Sequence, residues 1–530
     1  MPEHLDEVLR DHDRGSQQPI DMGKVQSIGV VGMRNVGPCL TRQLLSAFKG
    51  KNIYIASRGG IDRDRLDDII QMGAIPVDKI TDLVPRCDMI VTAIKPTHEA
   101  IMETYTNIIE KWTQTTQERA IAAAAAAAAE ADGCVSDCAT NKTSIDNKQA
   151  LVLIDLSSSA PKTSGEINSL IKGKPDASIL YHVCPFWGPP AFLGTGKNIL
   201  AVSGPARHLI SDFLVPTVFG NSIDVGLDVT NGSAIKLLGN HVFGSVNQVV
   251  GEMMVLADTL GIDRESVYSF VFKERFPAMP FLIAVERMVV DNGRGYENRI
   301  AFPTASAVPM LQCLLDMAST KETAVPTEYY EINLHGMKEA AKKGPSWDIS
   351  SVISVISDAV GEISPVPSPI TDLGREGILK AMAHNVRVTI NVAIIQTCLL
   401  ADKRGIGGEK IHQYITYMLN TNTIVRDSEK IHGIKIPKRG SSSHLDIFEA
   451  KATTEDIESL LELATLNKVP APMSQANMKM LTSALKTMTT DPTCDCSILL
   501  KRLIYGEQGQ NVPPMAQQLN RTRTAALKGF

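Results

Sequence analysis

A chain of 530 residues is long enough for two to four domains, and 44% hydrophobic against 21% charged residues provides for sizeable cores rather than a disordered polymer. The net charge of −5 supplies no basic field, so neither nucleic acid nor an anionic membrane is an expected partner. Residues 1–24 lack the pattern of a secretory or transit peptide, and no uninterrupted apolar run is long enough to span a bilayer. The nine cysteines form no paired framework, and Cys134 with Cys138 and Cys494 with Cys496 lack histidines at zinc-ligand spacing; reduced thiols in a cytoplasmic protein without a metal site are expected.

Residues 25–31, VQSIGVV, form an apolar run that ends in Gly32 and opens into a helical pattern, NVGPCLTRQLLSAFKG. Such a strand, tight turn and helix suit a dinucleotide, whose pyrophosphate is held by backbone N–H groups at the helix N-terminus. In the turn Gly32-Met33-Arg34-Asn35-Val36-Gly37, the outer glycines fit G-x-G-x-x-G, while Arg34 replaces the middle one. Arg34 either turns outwards to clamp a phosphate or obstructs the cofactor. The next strand, 52–56, ends at Ser57-Arg58, where an acid would bind a ribose 2′-OH. A hydroxyl followed by a guanidinium favours the 2′-phosphate of NADP over NAD; the alternative is that Arg58 is a solvated loop residue.

A helix is expected over 61–72, then a strand at 74–76, a helix ending near Pro85 and a buried strand over 88–95. This alternation predicts βαβ units in a right-handed, doubly wound parallel sheet. The pattern lapses over about 112–148, where the alanine run Ala122 to Ala129 marks a low-complexity insertion, helical or disordered, without chemistry. Strand character returns at 150–156. Ser157, Ser158, Ser159, Ala160 and Pro161 then suit a helix start. Strands over 178–184 and 198–204 flank the loop PFWGPPAFLGTGK, a substrate rim or a surface turn.

Apolar residues from Ile235 to Leu260 keep helical spacing through TNGSAIKLLGNHVFGSVNQVVGEMMVLADTLGI (230–262), which predicts a long, mostly buried helix. Lys236 and Asn240, four apart, share a face. Lys236 either snorkels to the surface or faces a cleft as a partly desolvated proton donor, with Asn240 orienting the same substrate oxygen.

The order GVVGMRNVG, DLSSSAP, FWGPPAFLGTG and NGSAIKLLGN resembles the β-hydroxyacid dehydrogenase branch of the 6-phosphogluconate dehydrogenase superfamily, over roughly 25–505. The resemblance implies that Gly32 and Gly37 hold the dinucleotide, with Ile94, Lys95 and Pro96 beside it. It implies that Ser157 and Ser158 touch substrate or nicotinamide, and that the backbone near Trp187 and Gly188 binds a substrate carboxylate. Lys236 would be the general acid/base and Asn240 would align the reacting hydroxyl. This sequence departs from the family at Arg34 and in the Phe-Trp-Gly-Pro-Pro run, because Pro189 and Pro190 donate no N–H bonds. The histidine-asparagine-glycine run of 6-phosphogluconate dehydrogenase itself is absent after Lys236.

The second half repeats the first. LGREGILKAMAHNVRVTINVAIIQTCLLADKRGI (373–406) echoes the 230–262 segment, with Lys380 answering Lys236. Two later pairs, LLDMASTKETAVP with LLELATLNKVPAP and WDISSVISVI with CDCSILLKRL, follow in the same order. The expected architecture is therefore α/β plus all-α: a Rossmann-type doubly wound sheet (24–228), followed by two tandem copies of an all-helical domain like that of 6-phosphogluconate dehydrogenase (229–358 and 364–506). The proline-rich segment 363–370 joins the copies, and 521–530 is a tail. By the resemblance, the second copy keeps a lysine the first lacks, Lys451, which would pack against the cleft in front of Lys236; His384 stands where the first copy has Asn240, and Lys380 is expected to be a packing or surface residue.

The function expected is hydride transfer between NADP and a small hydroxy acid or related carbonyl compound, by a monomer or homodimer. The alternative is a catalytically weak or inactive nucleotide-binding sensor or assembly partner. A helical adaptor built on the repeat alone is disfavoured by the same motifs.

Overall fold

Short apolar runs become the strands of one parallel sheet because each is bounded by turn residues and followed by a helix that returns the chain to the same edge. In the computed structural model the residues described are 22–60, 62–94, 97–131, 150–320, 325–361, 373–432, 448–488 and 495–505, in two compact units that divide between Lys236 and Leu237.

In the first unit, strands β1 (Ser27–Val31), β2 (Asn52–Ala56), β3 (Ile75–Pro76), β4 (Met89–Thr92), β5 (Leu151–Asp155) and β6 (Ile179–Val183) lie in the order β3-β2-β1-β4-β5-β6, every pair parallel. This is the doubly wound order of a Rossmann sheet, with the reversal between β1 and β4. Helices α1 (Val36–Ala47), α2 (Asp67–Gln71), α3 (Ile80–Leu83), α4 (His98–Ala131) and α5 (Pro161–Lys172) connect the strands. Two buried clusters form, one containing Ile28, Leu40 and Ile154 and the other Ile90, Tyr105, Leu153 and Tyr181.

Three details differ from the sequence reading. The helix expected over 61–72 is a 3-10 turn, Asp64–Leu66, followed by the short α2. The insertion begins later than Trp112: α4 runs on to Ala131, Trp112 is buried with its Nε1 donating to Ala177 O at 2.6 Å, and Thr115 is also buried. Residues 132–149, including Cys134 and Cys138, lie outside the described residues, as do Cys494, the 363–370 connector and the tail. Thirdly, β7 (Phe186–Trp187), β8 (Ile199–Val202) and β9 (Asn221–Asp224) form a second sheet, with β7 antiparallel and β9 parallel to β8. Helix α6 (Arg207–Leu214) lies between β8 and β9 in the chain.

The long helix α7 (Val229–Thr259) begins in the first unit and continues into the second. The second unit adds α8 (Arg264–Val267), α9 (Met279–Gly293), α10 (Thr304–Ala318), α11 (Glu328–Lys343) and α12 (Val352–Val360). Then follow α13 (Gly374–Lys403), α14 (Gly408–Met418), α15 (Asn422–His432), α16 (Ala450–Leu466), α17 (Pro472–Met488) and α18 (Cys496–Tyr505). Helix α13 is long and apolar enough to cross a membrane, contrary to the sequence reading, yet 89% of its apolar window is buried within the protein. Its buried Arg387 is bonded within the protein, to Asp427 at 2.7 Å, as suits a core helix.

Contacts in this unit recur at the spacing of the sequence repeat. Asn333 Nδ2 donates to Ser245 Oγ at 2.8 Å and Asn477 Nδ2 to Thr389 Oγ1 at 2.9 Å. Pro303 bridges Asp348 and Glu449 bridges Asp495, both antiparallel. Each aspartate then accepts from the backbone two residues on, Ser350 N at 3.1 Å and Ser497 N at 3.0 Å. Reciprocal contacts join the halves. Glu252 on α7 accepts from Met473 N (2.8 Å), Ser474 N (3.0 Å) and Ser474 Oγ (2.7 Å) at the start of α17. Gln396, its counterpart on α13, donates to Pro326 O at 3.1 Å just before α11 and meets His241 Nε2 at 3.1 Å.

Glu252 is fully buried, and burial pushes its carboxyl up to about 7 against the pull of the donors from Ser474, Met473 and Gln248. Both of its oxygens accept, so an amide would turn an NH2 group towards N–H donors. Glu252→Gln is expected to lose about 1–3 kcal/mol of stability, measured by urea unfolding at pH 7, whereas an unchanged midpoint would show that the anchor is dispensable.

Candidate active site

The glycine-bearing turn, 32–37, follows β1. Gly32 has φ +103°, and a Cβ there would collide with Ala93 O; one at Gly37 would collide with Gly32 O. Both positions therefore require glycine, for conformation and approach at the first and for approach alone at the second. Met33 turns into the core and is 4% exposed, while Arg34 and Asn35 are exposed and Val36 is half-buried as the first residue of α1. Arg34 therefore does not fill the turn, and its carbonyl accepts from Arg65 Nη2 at 2.6 Å.

At the end of β2, Ser57 is half-buried and Arg58 is exposed, its Nη1 2.8 Å from Glu103 Oε2 on α4. Neither Glu103 nor Arg65 is singled out by sequence, since both reach this corner from distant turns.

The carboxyl ends of β4 and β5 meet through side chains. Ile94 N donates to Ser157 Oγ at 2.9 Å, and Ser157 N donates to Asp155 Oδ1 at 2.8 Å. Ser157 is buried and Ser158 is half-buried, whereas Lys95 and Pro96 lie outside the described residues. A row of hydroxyls continues from Ser159 Oγ to Ser233 Oγ (2.9 Å) and from Ser233 to Ser164 Oγ (3.1 Å), tying the β5 loop to the first turns of α7. The sequence reading gives Ser159 only a part in starting α5, and gives Ser164, Ser233 and Asp155 no role.

Close packing sets the start of α7. A Cβ at Gly232 would collide with Val183 O, and Ser203 Oγ donates to Val183 O at 2.8 Å beside it. One turn on, Lys236 is half-buried; its Nζ donates to Phe186 O at 2.8 Å and lies 5.4 Å from the centroid of the Trp187 ring. Burial alone lowers its amine from the ordinary 10.5 to about 7. The lysine does not snorkel away from the β7 strand.

Trp187 is 3% exposed, and Gly188 follows with φ +103°. Asn198 Nδ2 donates to Trp187 O (3.2 Å) and Pro189 O (3.1 Å), which buckles the turn; this residue too was not foreseen. Asn240 lies four residues beyond Lys236 in α7, in the second unit, and is half-buried. Lys451 is also in the second unit, exposed on α16 and 3.8 Å from Glu455. Lys380 is exposed, while His384 Nδ1 meets Asp456 Oδ2 at 2.6 Å. Among the described residues no group of histidine, cysteine and acidic side chains could hold a metal.

These features define a unit with a Rossmann-type parallel sheet, joined through one helix to an all-helical unit. No protein-family model matches the chain, and no curated protein matches it. Among solved structures the chain is similar to 3-hydroxyisobutyrate dehydrogenase of Mycobacterium tuberculosis, solved with L-serine, at 16% identity over 63% of this chain and 99% of that one, TM-score 0.46. It is similar also to 3-hydroxyisobutyrate dehydrogenase of Salmonella typhimurium (16%, 62% and 99%, TM-score 0.48) and to an imine reductase of Streptomyces aurantiacus (16%, 62% and 99%, TM-score 0.37).

A lysine held at about 7 while folded and at its ordinary 10.5 when unfolded contributes stability that is full above about 10.5 and is lost as pH falls through about 7. Lys236→Met removes that dependence. The melting temperature of the variant relative to wild type is expected to rise as pH is lowered from about 9 to about 6; a difference that does not change with pH would refute the desolvated amine.

Proposed function

We propose that the chain is an NADP-dependent oxidoreductase that moves hydride between nicotinamide and the hydroxyl-bearing carbon of a small, carboxylate-bearing acid or a related carbonyl compound. The observation that carries this reading is Lys236: an amine with a pKa of about 7, fixed by a backbone carbonyl in a unit built on a Rossmann-type sheet. General acid/base work at neutral pH needs a group of that kind. We also propose that the unit comprises a Rossmann domain (24–228) and that the helical domain occurs twice (229–358 and 364–506).

The residues present fit a dinucleotide. Gly32 and Gly37 leave no Cβ in the turn, and the exposed Arg34 leaves the backbone open to close approach while offering a guanidinium to a phosphate. The bound cofactor would supply hydride transfer, while the protein supplies orientation and proton handling. Lys236 takes the hydroxyl proton during oxidation and returns it during reduction, with Asn240 on the same helical face aligning the hydroxyl. Ser157 and Ser158 border the reacting end, and the Trp187–Gly188 turn forms the rim for the substrate carboxylate. Preference for NADP rests on Ser57 and Arg58, and a 2′-phosphate must compete with Glu103 for that guanidinium.

Fluorescence titration is expected to give tighter binding of NADPH than of NADH. Lys236→Ala is expected to lower turnover on 2- and 3-hydroxy acids by roughly 10²–10⁴-fold without weakening NADPH binding. Oxidation by wild type should rise as pH increases through about 7, as the amine loses its proton. A chain that binds neither dinucleotide would leave the sensor or assembly reading in its place.

A further inference from the structure

Asp155 ends β5 fully buried and, among the described residues, has no ion-pair partner. Its surroundings are donors. Oδ1 accepts from Ser157 N at 2.8 Å and from Thr92 Oγ1 at 3.2 Å, and Oδ2 accepts from Tyr181 OH at 3.5 Å. Tyr105 OH lies 2.6 Å from Thr92 Oγ1 and completes a relay from α4 to the carboxylate. The titratable groups that face Asp155 are Tyr105 from α4, Tyr181 from β6 and Cys184 just beyond β6, and burial raises all three further from ionisation.

The contacts run on to the nucleotide turn. Ser157, fixed by Asp155, accepts from Ile94 N at 2.9 Å, and the adjoining Ala93 O presses on the site where Gly32 would carry a Cβ. One line of contact therefore joins Asp155, Ser157, the segment after β4 and the glycine turn across the reversal in strand order, where such folds bind dinucleotides.

An ionised carboxyl is an unfavourable choice for mere packing here. Burial raises Asp155 from the ordinary 3.8 to about 6, although donors from Ser157, Thr92 and Tyr105 draw it down. The stability this preference provides is full below about 3.8 and lost as pH rises through about 6, so the charge costs stability at neutral pH. Protonation would add an O–H among groups already arranged to donate.

Resting on the oxidoreductase reading, we propose that Asp155 is a positioning residue for the bound dinucleotide: its carboxylate fixes the Ser157 turn and, through Ser157, the segment after β4 against the glycine turn. Cofactor affinity therefore follows the charge of Asp155.

The test compares full-length wild type with Asp155→Asn, titrated with NADPH from pH 5 to pH 8. Because the ligand's own phosphate titrates in that range, the quantity read is the ratio of the two affinities. Wild type is expected to bind about tenfold more tightly at pH 7, with the ratio falling towards one at pH 5. Hydrogen exchange of the ligand-free chain, corrected for intrinsic rates, should be faster in Asp155→Asn over 92–94 and 155–159 at pH 7 and equal to wild type at pH 5. The melting temperature of the variant is read alongside, since an amide here, as at Glu252, meets donors where the carboxylate accepts; a lower one with an unchanged affinity ratio would mark a merely structural role and overturn the proposal. Equal affinity and equal exchange at pH 7 would overturn it as well. If wild type takes up no dinucleotide at any pH, the oxidoreductase reading falls, and exchange alone then decides whether Asp155 tethers the two segments.

Discussion

The depth of Lys236 is set one turn earlier, where Gly232 lies against the carbonyl that ends β6. A side chain there would push α7 off the sheet and carry the amine away from Phe186 and Trp187. With the helix seated, the ammonium has one backbone acceptor and one aromatic face, and too little water to keep its ordinary basicity. The hydroxyl row Ser159, Ser233 and Ser164 fixes the same turns laterally, so position and basicity of the lysine have one cause.

The helical unit is specified by buried polar contacts rather than by apolar stripes alone. Helices α7 and α13 are buried on nearly every side, and the apolar contacts of such helices alone would let them slide or rotate at little cost. Glu252 at the start of α17 and Gln396 beside Pro326 each match a particular set of partners, so a shift of one turn would leave a buried acceptor or donor unmade. Asn385 and Asn477 extend this control within the second half, where Asn477 Nδ2 donates to Asn385 Oδ1 at 2.6 Å.

Much of the fold was legible in the sequence because the sheet depends on local signals: apolar runs, Gly32 and Gly37, and Pro161 opening α5. Strands of two residues such as β7, or β9 with a single buried position, carry no periodicity to read. The alanine run hid the fact that α4 had begun well before it and packed Trp112. In the site, Lys236 was visible as a cation in an apolar helix and Ser157 as part of a motif. Asp155, Asn198 and Glu103 were not, because their partners come from other turns and strands and only the assembled fold brings them together.

Paired positions in a symmetric assembly of identical subunits must carry the same residue, so any change is made twice and has to suit both places at once. Glu252 and Gln396 occupy equivalent places in reciprocal contacts, yet each is encoded separately. One became a carboxylate that caps two backbone amides and a hydroxyl, the other an amide that joins a carbonyl to an imidazole. In the proposed duplication, covalent continuity would release the interface from self-complementarity, so that each half can be tuned to the neighbour it actually has.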